Sequence, residues 1–173
     1  MKQGFGIWMT GLPASGKSSI TKELVEQLRD RGIPVVVLES DKMRKILTPQ
    51  PTYNLEERDR FYRALALIGE AITRDHVNVI FDATANKRAY REYCRSLIPR
   101  FIEVFVDCPI DVCKQRDPKG IYAAAAAGGA TSVPGVQASY EPPLRPDLRL
   151  DCQAPPKEGA DAVVRLLSEF QYL

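Results

Sequence analysis

The chain has 173 residues, 45% of them hydrophobic and 27% charged, and a net charge of +2. That length supports one domain, 1–173, with a real core. The near-neutral charge, with acids and bases interleaved as in EERDR at 56–60, excludes the basic stripe of a nucleic-acid binder.

Apolar runs alternate with segments of helical period along the chain. A strand is predicted from Phe5 to Thr10, followed by a helix over Lys17–Asp30 with Ile20, Leu24 and Leu28 on one face. Gly32 and Pro34 stop that helix, and VVVL at 35–38 reads as a buried strand. A short helix follows from Asp41 and ends before Pro49, and a longer one covers Leu55 to Arg74. VNVIF at 77–81 is the third strand, Lys87–Leu97 a helix closed by Pro99, and FIEVFVD at 101–107 the fourth strand. Pro109 opens another short helix. LRLDC at 148–152 reads as a fifth, edge-like strand, and 157–171 as the last helix, with Ala160, Val163, Val164, Leu167 and Phe170 facing inward. This alternation predicts an α/β fold whose parallel sheet is covered on both faces, with ligands at the carboxyl ends of its strands. Residues 118–146 show no clear period beyond an alanine run and are expected to form a lid.

No apolar run is long enough to span a bilayer, and the opening GFGIWM lacks a basic flank and a cleavage site. No membrane partner is therefore expected, and the expected location is cytoplasmic. Cys94, Cys108, Cys113 and Cys152 form no CxxC pair, and His76 cannot complete a zinc set with them. All four are expected to be reduced, partly buried thiols.

GLPASGKS at 11–18 fits GxxxxGK[ST] between a strand and a helix, the setting in which that motif cradles phosphates. Gly11 and Gly16 free the backbone. Amides around Ala14, Ser15, Lys17 and Ser19 face a phosphate at the helix N-terminus. Lys17 is assigned to the β- and γ-phosphates of ATP and Ser18 to Mg²⁺. After the second strand, SDKMR at 40–44 supplies Asp41, a candidate either to orient an acceptor hydroxyl or to hold Mg²⁺, with Arg44 one turn along. After the third strand, FDATANKRAYR supplies Asp82 as a rival for both roles, and Arg88 and Arg91 as candidate anion clamps. Arg116 and Lys119, in QRDPKG, are candidate cations at the start of the lid.

VDCPIDVCKQRDPKGIY at 106–122 and YEPPLRPDL at 140–148, with LESDKMRKIL at 38–47, resemble the adenylylsulfate kinase family over nearly the whole chain. The resemblance implies a P-loop NTPase fold with a five-stranded parallel sheet. It also implies transfer of the γ-phosphate of ATP to the 3′-hydroxyl of adenylylsulfate, a small-molecule substrate, in sulfate assimilation. Asp41 would then sit by the acceptor hydroxyl and Arg44 would hold the phosphosulfate; the family's habit of dimerising makes a homodimer possible. The chain departs from the family at ATANKR (83–88), at Val133 in place of a lid phenylalanine, and at Ala123, Ala124 and Thr131 in place of lid lysines. Phe61, Tyr62 and Tyr53 are candidate replacements for the stacking platform, and Arg58, Arg60 and Arg63 for the charge. Three rival readings are a kinase of the same fold with another nucleotide or small-metabolite acceptor, a protein that binds ATP without turnover, and a polynucleotide 5′-hydroxyl kinase, against which the near-neutral charge argues.

Overall fold

The computed structural model describes residues 3–173. Its elements run β1 (Gly6–Thr10), α1 (Lys17–Asp30), β2 (Val35–Glu39), α2 (Ser40–Leu47), α3 (Leu55–Arg74), β3 (Asn78–Asp82), α4 (Arg88–Leu97), β4 (Phe101–Asp107), α5 (Ile110–Arg116), α6 (Ile121–Ala126), β5 (Leu148–Asp151) and α7 (Pro156–Glu169). The five strands form one sheet in the order β2-β3-β1-β4-β5, with every neighbouring pair parallel.

Alternate residues of the central strands serve two separate cores. Ile7 and Met9 of β1 join Leu24, Leu28, Val163 and Leu167 under α1 and α7. Trp8, between them, joins Phe61, Leu65 and Phe81 under α3 and α4. Both faces of β1 are buried, so a strand in this position must be apolar throughout. Trp8 stacks on Phe81 with ring centroids 4.7 Å apart, and its indole N–H donates to the Ala83 carbonyl at 3.0 Å. α3 crosses β3 closely at Gly69, where a Cβ would lie 2.1 Å from Phe81 Cζ.

Three sequence expectations are corrected. VVVL at 35–38, expected as a buried strand, forms β2 at the edge of the sheet and is only partly buried, with Val36 39% exposed. Phe170 is 41% exposed, because α7 ends at Glu169 and the next residue leaves the buried face. Cys108 and Cys152 are joined by a disulfide. The reason is the register: Asp107 pairs with Asp151 across β4 and β5, so the next residue of each strand lies side by side, with Cα atoms 5.2 Å apart. Cys94 and Cys113 are free and buried, as expected. The lid segment holds the short helix α6, built on its alanine run, and is otherwise irregular.

Candidate active site

Because all strands point one way, Thr10, Glu39, Asp82 and Asp107 emerge along the same edge of the sheet. A cleft of about 660 Å³ opens there. It is lined by Ala14, Ser15, Gly16, Lys17, Ser18 and Ser19 from the phosphate loop, Asp41, Asp82, Arg116 and Lys119 from other elements, and the turn Cys152–Pro156. Ten of the residues singled out in the sequence thus meet in one place.

The loop conformation is what a phosphate cradle requires. Gly16 caps α1 with φ 104°, a value a side chain would resist, and Ala14 is held at φ 61°. α1 has no side-chain cap, so its first amides lack an intramolecular side-chain acceptor, the arrangement in which a helix N-terminus receives an anion. Lys17 is 7% exposed, and its ammonium donates to the carbonyls of Gly11 (3.0 Å) and Leu12 (2.8 Å). Burial lowers its pKa to about 8, with the Asp82 carboxylate pulling the other way. Asp82, the last residue of β3, has its own pKa raised by burial. Lys17 and a hydrogen bond from Ser18 oppose that rise, and Glu39 and Asp41 add to it.

Opposite the loop, Asp41 in the first turn of α2 accepts from the ammonium of Lys119, which lies just beyond α5. That hydrogen bond raises the Lys119 pKa. Both side chains are more than half exposed, so the pair contributes little to stability. What it does is place a carboxylate and an ammonium at the same rim of the cleft. Arg116 ties two walls together, donating to the Ser15 carbonyl (3.5 Å) and the Cys152 carbonyl (2.8 Å).

The remaining candidates lie elsewhere. Phe61 is 2% exposed and sits beneath Arg44, with the guanidinium carbon 3.9 Å from its ring centroid, so it is a floor for that cation with no open ring face to offer. Arg44 itself is buried between α2 and α3, paired with Glu57 at 3.3 Å. Arg58 is also buried and braces the lid, donating to Ser132 (2.6 Å to its carbonyl), Asn86 (3.2 Å) and the Tyr53 carbonyl (2.8 Å). Arg88 hangs on the 141–142 segment through Glu141 and the Pro142 carbonyl, away from the cleft. Arg91 is 1% exposed and fully engaged with Glu103 and the carbonyls of Ala85 and Glu141, which makes it a strut. Arg60 and Arg63 pair with Glu56 and Asp59 on the exposed side of α3.

Sequence reasoning missed three features of the site and its surroundings. One is the turn Cys152–Pro156, which forms a wall of the cleft and carries no motif. Another is a pair of lid tyrosines. Tyr122 donates to the Pro13 carbonyl (2.9 Å), and the hydroxyls of Tyr140 and Thr10 lie 3.0 Å apart. The third is Glu57, for which a signal existed: Asn54 and Glu57 have capping-box spacing, and the Asn54 side chain accepts from the Glu57 amide at 2.8 Å.

Known proteins resemble this chain in sequence and in fold. An adenylyl-sulfate kinase of Gloeothece citriformis is 39% identical over all of this chain and 98% of its own length. A probable adenylyl-sulfate kinase of Pyrococcus abyssi is 36% identical over 99% of each chain. The structure of the Mycobacterium tuberculosis APS kinase in complex with AMPPNP and APS superposes with a TM-score of 0.92 at 32% identity, covering 97% of this chain and 99% of that one. The sequence profile of the adenylylsulphate kinase family matches residues 3–151, and the chain belongs to that family.

Proposed function

We propose that this chain transfers the γ-phosphoryl group of ATP to the 3′-hydroxyl of adenylylsulfate, giving 3′-phosphoadenylylsulfate. The observation that carries this reading is the single cleft in which the phosphate loop with Lys17 and Ser18 faces the Asp41–Lys119 pair. Phosphoryl transfer asks a protein mainly for alignment and charge neutralisation. The amides of residues 14–18 and the N-terminus of α1 hold the donor phosphates, and Lys17 neutralises charge as the bond to the leaving oxygen breaks. Arg116 and the turn Cys152–Pro156 bound the donor side. Asp41 accepts a hydrogen bond from the acceptor hydroxyl in place of its bond from Lys119. Lys119 is then free to balance charge on the transferring group. The lid, pinned to Pro13 and Thr10 by Tyr122 and Tyr140, keeps water out.

Mg²⁺ fits this donor set. Ser18 and Asp82 are hard oxygen donors side by side next to Lys17, and Asp82 lies within the combined field of Glu39 and Asp41. Ser18 and Asp82 would hold the ion, which neutralises β- and γ-phosphate charge when bound. Asp41 is left on the acceptor side.

The test is product identity. Incubation with Mg-ATP and adenylylsulfate should give one product phosphorylated at the 3′ position, identified by phosphorus NMR and mass spectrometry. ADP formed without that product would remove the reading. One observation favours a second acceptor: the lid's family lysine positions are alanines at 123 and 124, and Val133 is buried. A less anionic nucleotide or small-metabolite hydroxyl is therefore the alternative, and a panel of such acceptors distinguishes it.

A further inference from the structure

The phosphate loop contains a turn whose backbone disagrees with its sequence. The Ser15 amide donates to the Leu12 carbonyl at 3.2 Å, closing a turn with Pro13 and Ala14 at its centre. Ala14 stands at φ 61°. Proline cannot adopt a positive φ, and among the common hydrogen-bonded turns with trans peptides only type II has its positive φ at the second central residue alone. Glycine or asparagine is the usual residue there. An alanine favours type I, in which that φ is negative. The two types differ by roughly a half-turn of the central peptide, here the one joining Pro13 to Ala14. A contact from outside the turn therefore has to hold this peptide in its less favoured orientation.

Tyr122 makes that contact. Its hydroxyl donates to the Pro13 carbonyl at 2.9 Å, and the ring behind it is 5% exposed and belongs to the core under α1. Tyr122 stands in the first turn of α6. The start of that helix is set by Gly120 at φ 65° and by the Asp117 carboxylate, which accepts from the Ala123 amide at 2.9 Å. All the peptide bonds are trans, and in a trans peptide the C=O and N–H point opposite ways. A carbonyl drawn to Tyr122 thus turns the Ala14 amide to the other side. Ala14 lines the cleft, and among the described residues its amide has no acceptor. The flipped peptide would exchange the two groups, and a carbonyl oxygen repels a phosphate where an amide attracts it.

We propose that Tyr122 is a positioning residue for the donor: its hydrogen bond holds the Pro13–Ala14 peptide so that the Ala14 amide is offered to the donor's phosphate chain. Donor affinity is thereby tied to the seating of α6, the first helix of the lid. The proposal rests on the reading of residues 11–18 as the donor's phosphate cradle and is independent of which acceptor is used. A tyrosine that only stabilised α6 has a different signature. Its loss would lower the melting temperature and disturb donor and acceptor constants together, and no change inside the turn would repair it.

The experiment compares wild type with Tyr122→Phe, which keeps the buried ring and removes the hydroxyl, and with Tyr122→Phe carrying Ala14→Gly as well. Binding of ATP, of inorganic tripolyphosphate and of adenylylsulfate is measured by calorimetry, which needs no turnover, alongside thermal melting. Tyr122→Phe should bind ATP and tripolyphosphate about fivefold more weakly or worse, with adenylylsulfate affinity within about twofold of wild type. Adding Ala14→Gly should recover most of the lost affinity, because glycine takes the positive φ without a steric penalty. ATP or tripolyphosphate affinity unchanged in Tyr122→Phe, or a loss that Ala14→Gly fails to repair, overturns the proposal. So do donor and acceptor affinities that fall together with a large drop in melting temperature, and so does a wild type that binds neither ATP nor tripolyphosphate. A wild type that binds both in a Tyr122-dependent way yet phosphorylates no adenylylsulfate supports the positioning role and sinks the acceptor assignment instead.

Discussion

Lys17 serves the proposed phosphoryl transfer and works against the fold, and the two effects can be measured apart. Its pKa falls from 10.5 to about 8 on folding, with burial as the main cause. At about 1.4 kcal/mol per pH unit, a drop of about 2.5 means that keeping the ammonium charged costs the native state about 3 kcal/mol at neutral pH. The sign follows from proton counting. Between pH 8 and 10.5 the unfolded chain holds the Lys17 proton more tightly than the native chain, so native stability from this group rises across that window. Below pH 8 both states are protonated and the full penalty applies. Lys17→Met, with similar volume and no charge, removes the penalty and gives up the hydrogen bonds to Gly11 and Leu12. Those bonds offset part of the gain at about 1 kcal/mol each. The variant should therefore be at least as stable as wild type at pH 7 and have no phosphoryl transfer. Urea titrations at pH 7 and pH 10 then read the difference between the two proteins. Wild type should gain on the variant by most of about 3 kcal/mol between those pH values. A difference independent of pH, or a variant clearly less stable at pH 7, would refute the reasoning.

Asp41→Asn should lower kcat by about 10²-fold or more while KM for ATP changes little; an effect confined to KM in steady-state kinetics would move Asp41 to a binding role. Cys152→Ser opens a covalent loop that joins residues 44 apart and contains the whole lid. Loop-closure entropy gives a loss of about 4 kcal/mol in oxidised protein, read by denaturant melts; adding dithiothreitol should bring wild type down to the variant, and melts that ignore the reductant would contradict the pairing. Gly69→Ala drives a methyl onto the Phe81 ring beneath α3 and should cost about 1–3 kcal/mol; an unchanged midpoint in chemical denaturation would show that α3 shifts freely.

Much of this molecule is legible in its sequence, for physical reasons. Strands show as short, mostly apolar runs, so VVVL, VNVIF and FIEVFVD announce themselves even though β2 lies at the sheet edge and is only partly buried, and a phosphate loop between strand and helix points to where a donor would bind. The strand order was not legible in this way, because crossovers leave no local signature. The arginines were the hardest to read. Arg88 and Arg91 sit on one helix with similar spacing from Asp82, yet only long-range partners separate their roles. Arg91 is buried against Glu103 and Glu141, and Arg88 lies against the surface segment 141–142. Phe61 was a candidate platform by residue type alone, and only the packing of Arg44 over it shows that its face is taken. The disulfide escaped because Cys108 and Cys152 become neighbours only through the β4–β5 register.

The most direct test of the account is ATP turnover by the purified protein with and without adenylylsulfate, followed by coupled detection of ADP. The account predicts little ADP from Mg-ATP alone and strong stimulation by adenylylsulfate, lost in Lys17→Met. Turnover that adenylylsulfate leaves unchanged, in protein that still binds ATP, would contradict it.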